Sequence, residues 1–278
     1  MKARIFSNQM KQLRLSSLLS ILAFVAVAPV LAAQQADAPK AKPEDTEIWA
    51  PEPKIVTPGA VSIGAPSDAI VLFDGKGLDE WVTVKDKSPA AWDVANGVMT
   101  VNKNGGGNIE TKRSFKNYQL HVEWKIPEGI TGTSQARGNS GVFLASTGPG
   151  DAGYELQVLD SYNNKTYVNG QAGAIYKQSP PLVNPNRKPG EWQTYDIIFE
   201  APKFDGDKVI KPAYFTVIWN GVLVHHHQAS MGPMVYRQVA HYQAHAPEES
   251  LLLQNHGDKV RYRNIWIRRL GGYDEAEK

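Results

Sequence analysis

Between Tyr118 and Ile126 apolar and polar residues alternate without a break. Tyr118, Leu120, Val122, Trp124 and Ile126 share one parity; Gln119, His121, Glu123 and Lys125 share the other. Only extended backbone places residues two apart on a common face, so this stretch predicts an antiparallel strand with one packed and one wetted face. The pattern recurs along the chain. Ile70-Val71-Leu72-Phe73 runs into the turn Asp74-Gly75-Lys76-Gly77, and Asn96-Gly97 joins Trp92-Asp93-Val94 to Val98-Met99-Thr100-Val101 as a hairpin. Further strands are expected at 192–199, 214–219, 222–228, 250–255 and 260–269, with Asn220-Gly221 as a second hairpin turn. No stretch carries helical periodicity with caps. A dozen short strands punctuated by Gly, Pro and Asn predict an all-β fold, a two-sheet sandwich of jelly-roll type.

The ends of the chain are of another kind. Lys2, Arg4, Lys11 and Arg14 precede the apolar run Leu18 to Val27, and Ala32 and Ala33 follow, which reads as a signal peptide over residues 1–32. The apolar run is too short for a stable membrane span. Its removal takes four basic and no acidic side chains from the 30 and 28 of the whole chain, leaving a net charge of −2, so composition gives no support for nucleic-acid binding. The expected location is the periplasm of a Gram-negative bacterium, or the envelope or exterior. Residues 33–66 form a Pro- and Ala-rich linker that cannot bury a core of its own. Its later part, Trp49 to Val56, is apolar enough to lie along the domain as a strap. One domain is expected over 67–271, with a short tail at 272–278.

The chain has no cysteine, which excludes disulfides, thiolate metal sites and a cysteine nucleophile. It also lacks a GxSxG elbow, a P-loop and an HExxH helix. Polar chemistry gathers instead at strand ends. In Tyr154-Glu155-Leu156-Gln157-Val158-Leu159-Asp160, the apolar residues Tyr154, Leu156 and Val158 share one face and Glu155 and Gln157 the other. Burying a carboxylate and an amide there is costly without a purpose. Asp160 reaches the same face only if a bulge shifts the register by one. A carboxylate pair is the tool of glycosidic chemistry, and paired surface carboxylates are the plain alternative. Asn139 opens the neighbouring strand, Gly138 to Leu144. His225 and His227 share a strand face, an arrangement that can hold zinc given a third ligand or simply end a strand. His121 lies on the wetted face of its strand, with no special role expected. The apolar Leu251-Leu252-Leu253 runs into Gln254-Asn255-His256 at a sheet rim. Arg261 and Arg263 have the parity of Ile265 and Ile267, so one face of the last strand should pass from apolar to cationic. Most of the tryptophans belong to the core, with one or two left for a site.

Several of these segments together resemble a known family. They are Leu72 to Trp81 (LFDGKGLDEW), Asn139 to Phe143 (NSGVF), Tyr154 to Asp160 (YELQVLD), Trp219 to His225 (WNGVLVH), Leu253 to Gly257 (LQNHG) and Arg261 to Ile267 (RYRNIWI). The combination is similar to the 3-keto-disaccharide hydrolase domain, also described as 3-keto-glucoside 1,2-lyase and 3-keto-2-hydroxy-glucal hydratase, over roughly residues 68–270. The resemblance implies a concanavalin A-like jelly roll and cleavage of 3-keto-glycosides in the bacterial envelope. Glucanases of that fold carry Glu-x-Asp-x-(x)-Glu on one strand, whereas Gln157 and Asp160 replace the second and third acids here. A 3-keto sugar calls for other chemistry: its ketone acidifies the C2 hydrogen, so a base removes it and the C1 substituent leaves by elimination. On this reading Glu155 or His256 is the base and Asp160 the acid or a metal or sugar ligand. Arg261, with Arg263 beside it, would stabilise the enolate, and Asn139, Gln157 and His225 would bind the sugar. A divalent metal ion polarising the ketone would suit the chemistry, but no ligand set is evident and no other cofactor is called for. The rival readings are a non-catalytic carbohydrate-binding module and a conventional endo-glucanase.

Overall fold

A computed structural model of the chain describes residues 42–52, 54–55, 64–235 and 237–271. The expected signal peptide at 1–32 and tail at 272–278 lie outside them. The strands, in chain order, are β1 (Lys54–Ile55), β2 (Ile70–Phe73), β3 (Trp81–Thr83), β4 (Asp93–Ala95), β5 (Val98–Thr100), β6 (Ile109–Phe115), β7 (Tyr118–Lys125), β8 (Ser140–Ser146) and β9 (Gly153–Val158). They continue with β10 (Val183–Asn184), β11 (Gln193–Glu200), β12 (Lys203–Asp205), β13 (Lys208–Lys211), β14 (Tyr214–Trp219), β15 (Val222–Ala229), β16 (Glu249–Leu253) and β17 (Arg261–Arg269).

The fold is the expected all-β, concanavalin A-like jelly roll of two antiparallel sheets. The larger sheet runs β15-β14-β11-β7-β17-β5-β4, with β2 also on β17; the smaller runs β3-β6-β16-β8-β9. Leu120, Val122 and Trp124 of β7, Ile197 and Phe199 of β11, and Tyr154, Leu156 and Val158 of β9 point between the sheets and belong to one buried cluster. Fully buried Trp81, Trp124 and Trp219 anchor it. Large aromatic side chains supply much of the area that holds such a sandwich together.

Two expectations about sheet faces need correction, and one bulge explains both. The second face of β7 is not wetted: His121 and Glu123 are fully buried. On β17 the register shifts between Arg263 and Trp266, where Asn264 takes a left-handed φ of 46°. A bulge of this kind reverses side-chain parity. Tyr262, Ile265 and Ile267 therefore face the core, whereas Arg263 and Trp266 lie on the outer face, so no single face passes from apolar to cationic. Trp266 stacks flat on His121, ring centroids 5.2 Å apart, and buries it.

The buried imidazole is charged by its neighbours. His121 Nδ1 lies 2.7 Å from Asp196 Oδ1, and its Nε2 lies 3.6 Å from Glu123 Oε1. Glu123 in turn accepts hydrogen bonds from Arg263 Nε at 2.6 Å and Asn264 Nδ2 at 2.9 Å. Burial opposes the charged form, but the hydrogen bond to Asp196 and the charges of Asp196 and Glu123 outweigh it and raise the His121 pKa to about 8. A pKa raised on folding stabilises the protein in full below the unfolded value and loses that contribution as pH rises through the folded one. The shift from 6.5 to about 8 corresponds to roughly 2 kcal/mol. Urea unfolding should therefore show stability falling by about that amount as pH is raised from 6.5 through 8. The slope should be missing in His121→Phe; a wild-type profile flat over this window would rule the coupling out.

Candidate active site

Strand β9 is the edge of the smaller sheet, and its two faces divide as the sequence predicts. Tyr154, Leu156 and Val158 enter the core, while Glu155 and Gln157 turn to the other face. There they line a cavity of about 880 Å³ together with Asn139, Gln254 and His256. Register brings the wall together: Gly141 of β8 pairs with Gln157, and the Gln254 N–H donates to the Gly141 carbonyl at 3.0 Å just past the end of β16. Glycine at 141 leaves room for the carboxyl, because a Cβ there would lie 2.5 Å from Glu155 Oε1 and 3.0 Å from the Phe143 ring and would push the Glu155 carboxyl aside.

The polar side chains are held in set positions. Gln157 Nε2 donates to Gln135 Oε1 at 3.2 Å and Asn139 Oδ1 at 3.3 Å. Asn139 Nδ2 donates to the Gln135 carbonyl at 2.9 Å, and its backbone N–H donates to Asp258 Oδ2 at 2.8 Å. Three buried oxygens of this wall have no donor among the described residues: Glu155 Oε2, Gln157 Oε1 and Gln254 Oε1. Buried acceptors left open in this way are costly unless a ligand supplies the donors, and sugar hydroxyls do so. The Glu155 side chain is 3% exposed. Burial pushes its carboxyl well above the ordinary carboxylate range, and the charge of Asp151 at the cavity rim adds to the rise. Burial thus favours the protonated form of Glu155, the form that can give a proton and take it back.

Of the expected site residues, the structure gathers Asn139, Glu155, Gln157 and His256 around this cavity and sets the others apart. Asp160 does not reach it. The irregularity in the β8–β9 pairing falls between Phe143 and Ser146, upstream of Glu155, and does not carry Asp160 across to its face. The Asp160 carboxylate is fully buried, 2.8 Å from Arg137 Nε, and it accepts the Tyr162 N–H at 3.0 Å. His225 is buried by the register irregularity of β14 and β15, and its Nε2 donates to the Gly173 carbonyl at 2.7 Å. Burial lowers its pKa to about 4. His227 leaves that strand face altogether and stacks on Tyr214 with centroids 4.0 Å apart. Arg261 and Arg263 sit on the outer face of the larger sheet, where the Arg263 guanidinium lies 4.0 Å over the Trp192 ring. Among the described residues no three His, Asp or Glu side chains converge as a metal set. The groups that do face the cavity are the carboxyls of Glu155, Asp151, Glu44 and Glu47, one imidazole and several amides, a set suited to hydroxyl groups.

Four further contributors come from outside the strands. Gln135 holds Gln157, and Tyr167, Tyr176 and Trp49 form an aromatic flank. The only hint of them in the sequence is the apolar strap beginning at Trp49.

A family model, the 3-keto-alpha-glucoside-1,2-lyase-like domain, matches residues 68–268. A 3-keto-disaccharide hydrolase of Bacteroides thetaiotaomicron is 28% identical over 248 residues, covering 74% of this chain and 81% of that protein. A crystallised protein of Parabacteroides distasonis, assigned as a glycosyl hydrolase, shares 47% identity at a TM-score of 0.70 and covers 82% of this chain and 96% of its own. A second crystallised protein from that organism, 20% identical with a TM-score of 0.52 over 73% of this chain and 94% of its own, shares the fold.

Proposed function

The chain belongs to the 3-keto-alpha-glucoside-1,2-lyase-like domain family, and on that premise we propose that it cleaves 3-keto-glycosides by elimination and rehydration. The observation that carries the proposal is Glu155: a buried carboxyl with an open oxygen, its neutral form favoured by burial, lining a cavity of disaccharide size among unpaired amide oxygens. A retaining glycosidase needs two carboxyl groups about 5–5.5 Å apart across the bond. Asp160, the expected second carboxyl, is committed to Arg137, and the partner proposed for Glu155 is the imidazole of His256 at the same cavity.

In the proposed sequence, exposed His256 takes the proton from C2, which the adjacent ketone has made acidic. The electron pair forms the C1–C2 double bond. The C1–O bond breaks, and Glu155 delivers its proton to the departing oxygen. Glu155 is left as a carboxylate. It then takes a proton from water as the hydroxyl adds to C1, and the exposed imidazolium, having exchanged with solvent, gives a proton to C2. The sum is hydrolysis, and both groups end in their starting states. The open oxygens of Gln157 and Gln254 accept hydrogen bonds from sugar hydroxyls and fix the ring. The reaction is placed in the cell envelope on the strength of the basic and apolar residues at the N-terminus.

Incubation of the protein with 3-keto-trehalose, followed by proton NMR, tests this. The expected result is free glucose with a transient glycal signal, and solvent deuterium at C2 of the keto sugar. Cleavage without deuterium at C2 would exclude elimination, and no cleavage would exclude the substrate class. A parallel run with chelator reports any divalent-ion requirement.

A further inference from the structure

The domain that defines the family begins at residue 68, yet part of the cavity wall lies ahead of it. Glu44, Glu47 and Trp49 face the same space as Glu155. This segment is clamped at several points. Asn169, 1% exposed, accepts the Ile48 N–H at 3.3 Å and donates to the Thr46 carbonyl at 3.0 Å. The Val168 N–H donates to the Ile48 carbonyl at 2.6 Å. Lys177 Nζ, set over the Tyr167 ring at 4.0 Å, reaches the Pro43 carbonyl at 3.3 Å and Glu47 at 3.5 Å. Further on, β1 pairs in parallel with β10. A segment drawn from a Pro- and Ala-rich linker is thus fixed by a buried asparagine that recognises its backbone from two sides.

What the clamp holds in place is an indole. Trp49 remains 48% exposed, meets Tyr167 in a T-shaped contact at 6.3 Å, and lines the cavity wall. An aromatic side chain beside carboxylates at a cavity wall suits a pyranose. The apolar C–H face of the sugar lies on the ring, and its hydroxyls donate to the acids.

We propose that residues 42–49 form a built-in wall of the site and that Trp49, with Glu44 and Glu47, holds a second sugar ring: the leaving-group pyranose of a disaccharide. This rests on the function proposed above and adds that preference for a disaccharide comes from a segment outside the family domain.

Two measurements test it. In turnover, Trp49→Ala should lower kcat/KM for 3-keto-trehalose roughly tenfold, chiefly through KM. Methyl 3-keto-α-glucoside, which has no second ring, should change less than about twofold. Asn169→Ala, which frees the strap, should reproduce the same selective loss. Equal losses on both substrates, or none on either, would overturn the assignment. In calorimetry with unoxidised sugars, wild-type protein should bind trehalose more tightly than methyl α-glucoside, and Trp49→Ala should erase the difference. That arm needs no turnover, so equal wild-type affinities would refute the subsite whatever the chemistry, whereas a preference without cleavage would refute only the reaction.

Discussion

Glu155→Gln should fold as the wild type does and lose turnover by about 10²- to 10⁴-fold, the range of a general acid–base group. The substitution keeps the shape of the side chain and removes only the proton that can be given away. Because burial favours the neutral form of Glu155, the amide is the closer stand-in for it and leaves no buried charge unpaired. Circular dichroism melting should therefore change little while cleavage of 3-keto-trehalose, followed by NMR, collapses. The pH profile sharpens the test. A carboxyl whose pKa is raised acts as an acid below that pKa and fails above it, so the wild-type alkaline limb should disappear in the variant's residual rate. Gly141→Ala approaches the same atom from the other side. Its methyl would come 2.5 Å from Glu155 Oε1 and would have to displace the carboxyl, so activity should fall with the glutamate still present. A Glu155→Gln variant retaining more than about a tenth of wild-type kcat would remove Glu155 from the chemistry.

The parts of the fold that were legible in the sequence are those where side-chain parity and local turns decide. The alternation in 118–126 and the Asn-Gly turns at 96–97 and 220–221 place strands where the structure has them. The division of β9 into a core face and a polar face follows from period two alone, and it identified Glu155 and Gln157. Asn139 and His256 join them because β8 and β16 are successive neighbours of β9, so the rims of three strands meet. The errors share a cause: parity arguments fail wherever one residue is inserted. A single left-handed Asn264 sends Arg263 to the outer face, and irregular pairing between β14 and β15 buries His225. No composition or spacing signals such shifts, which are fixed by packing across the sheet. Trp49 was obscured for another reason. Its surroundings read as linker, and the asparagine that orders them lies more than a hundred residues away.

Asp160→Ala should cost about 3 kcal/mol of folding free energy, the low end of the range for breaking a buried ion pair. The low end is appropriate because Arg137, with its side chain 19% exposed, can recover some solvation. Burial pushes the Asp160 carboxyl above its ordinary value, while the Tyr162 N–H and Arg137 pull it back. Removing the carboxylate leaves both of those donors without their acceptor. The damage should reach the site, because the same joint holds 133–139. Arg137 also donates to the Tyr162 carbonyl at 2.6 Å, the Asp160 N–H donates to the Arg137 carbonyl at 3.2 Å, and Gln135 and Asn139 on this segment position Gln157. Asp160 thus acts on the chemistry at second hand, as a positioning residue. Urea unfolding and turnover should then decline together: Asp160→Asn, which still accepts the Tyr162 N–H, should lose roughly half as much stability as the alanine variant and keep most of its activity. A catalytic acid behaves in the opposite way. If Asp160→Asn melted like the wild type yet lost turnover and the alkaline limb of the pH profile, Asp160 would be the proton donor, and Glu155 would be left with the task of the base.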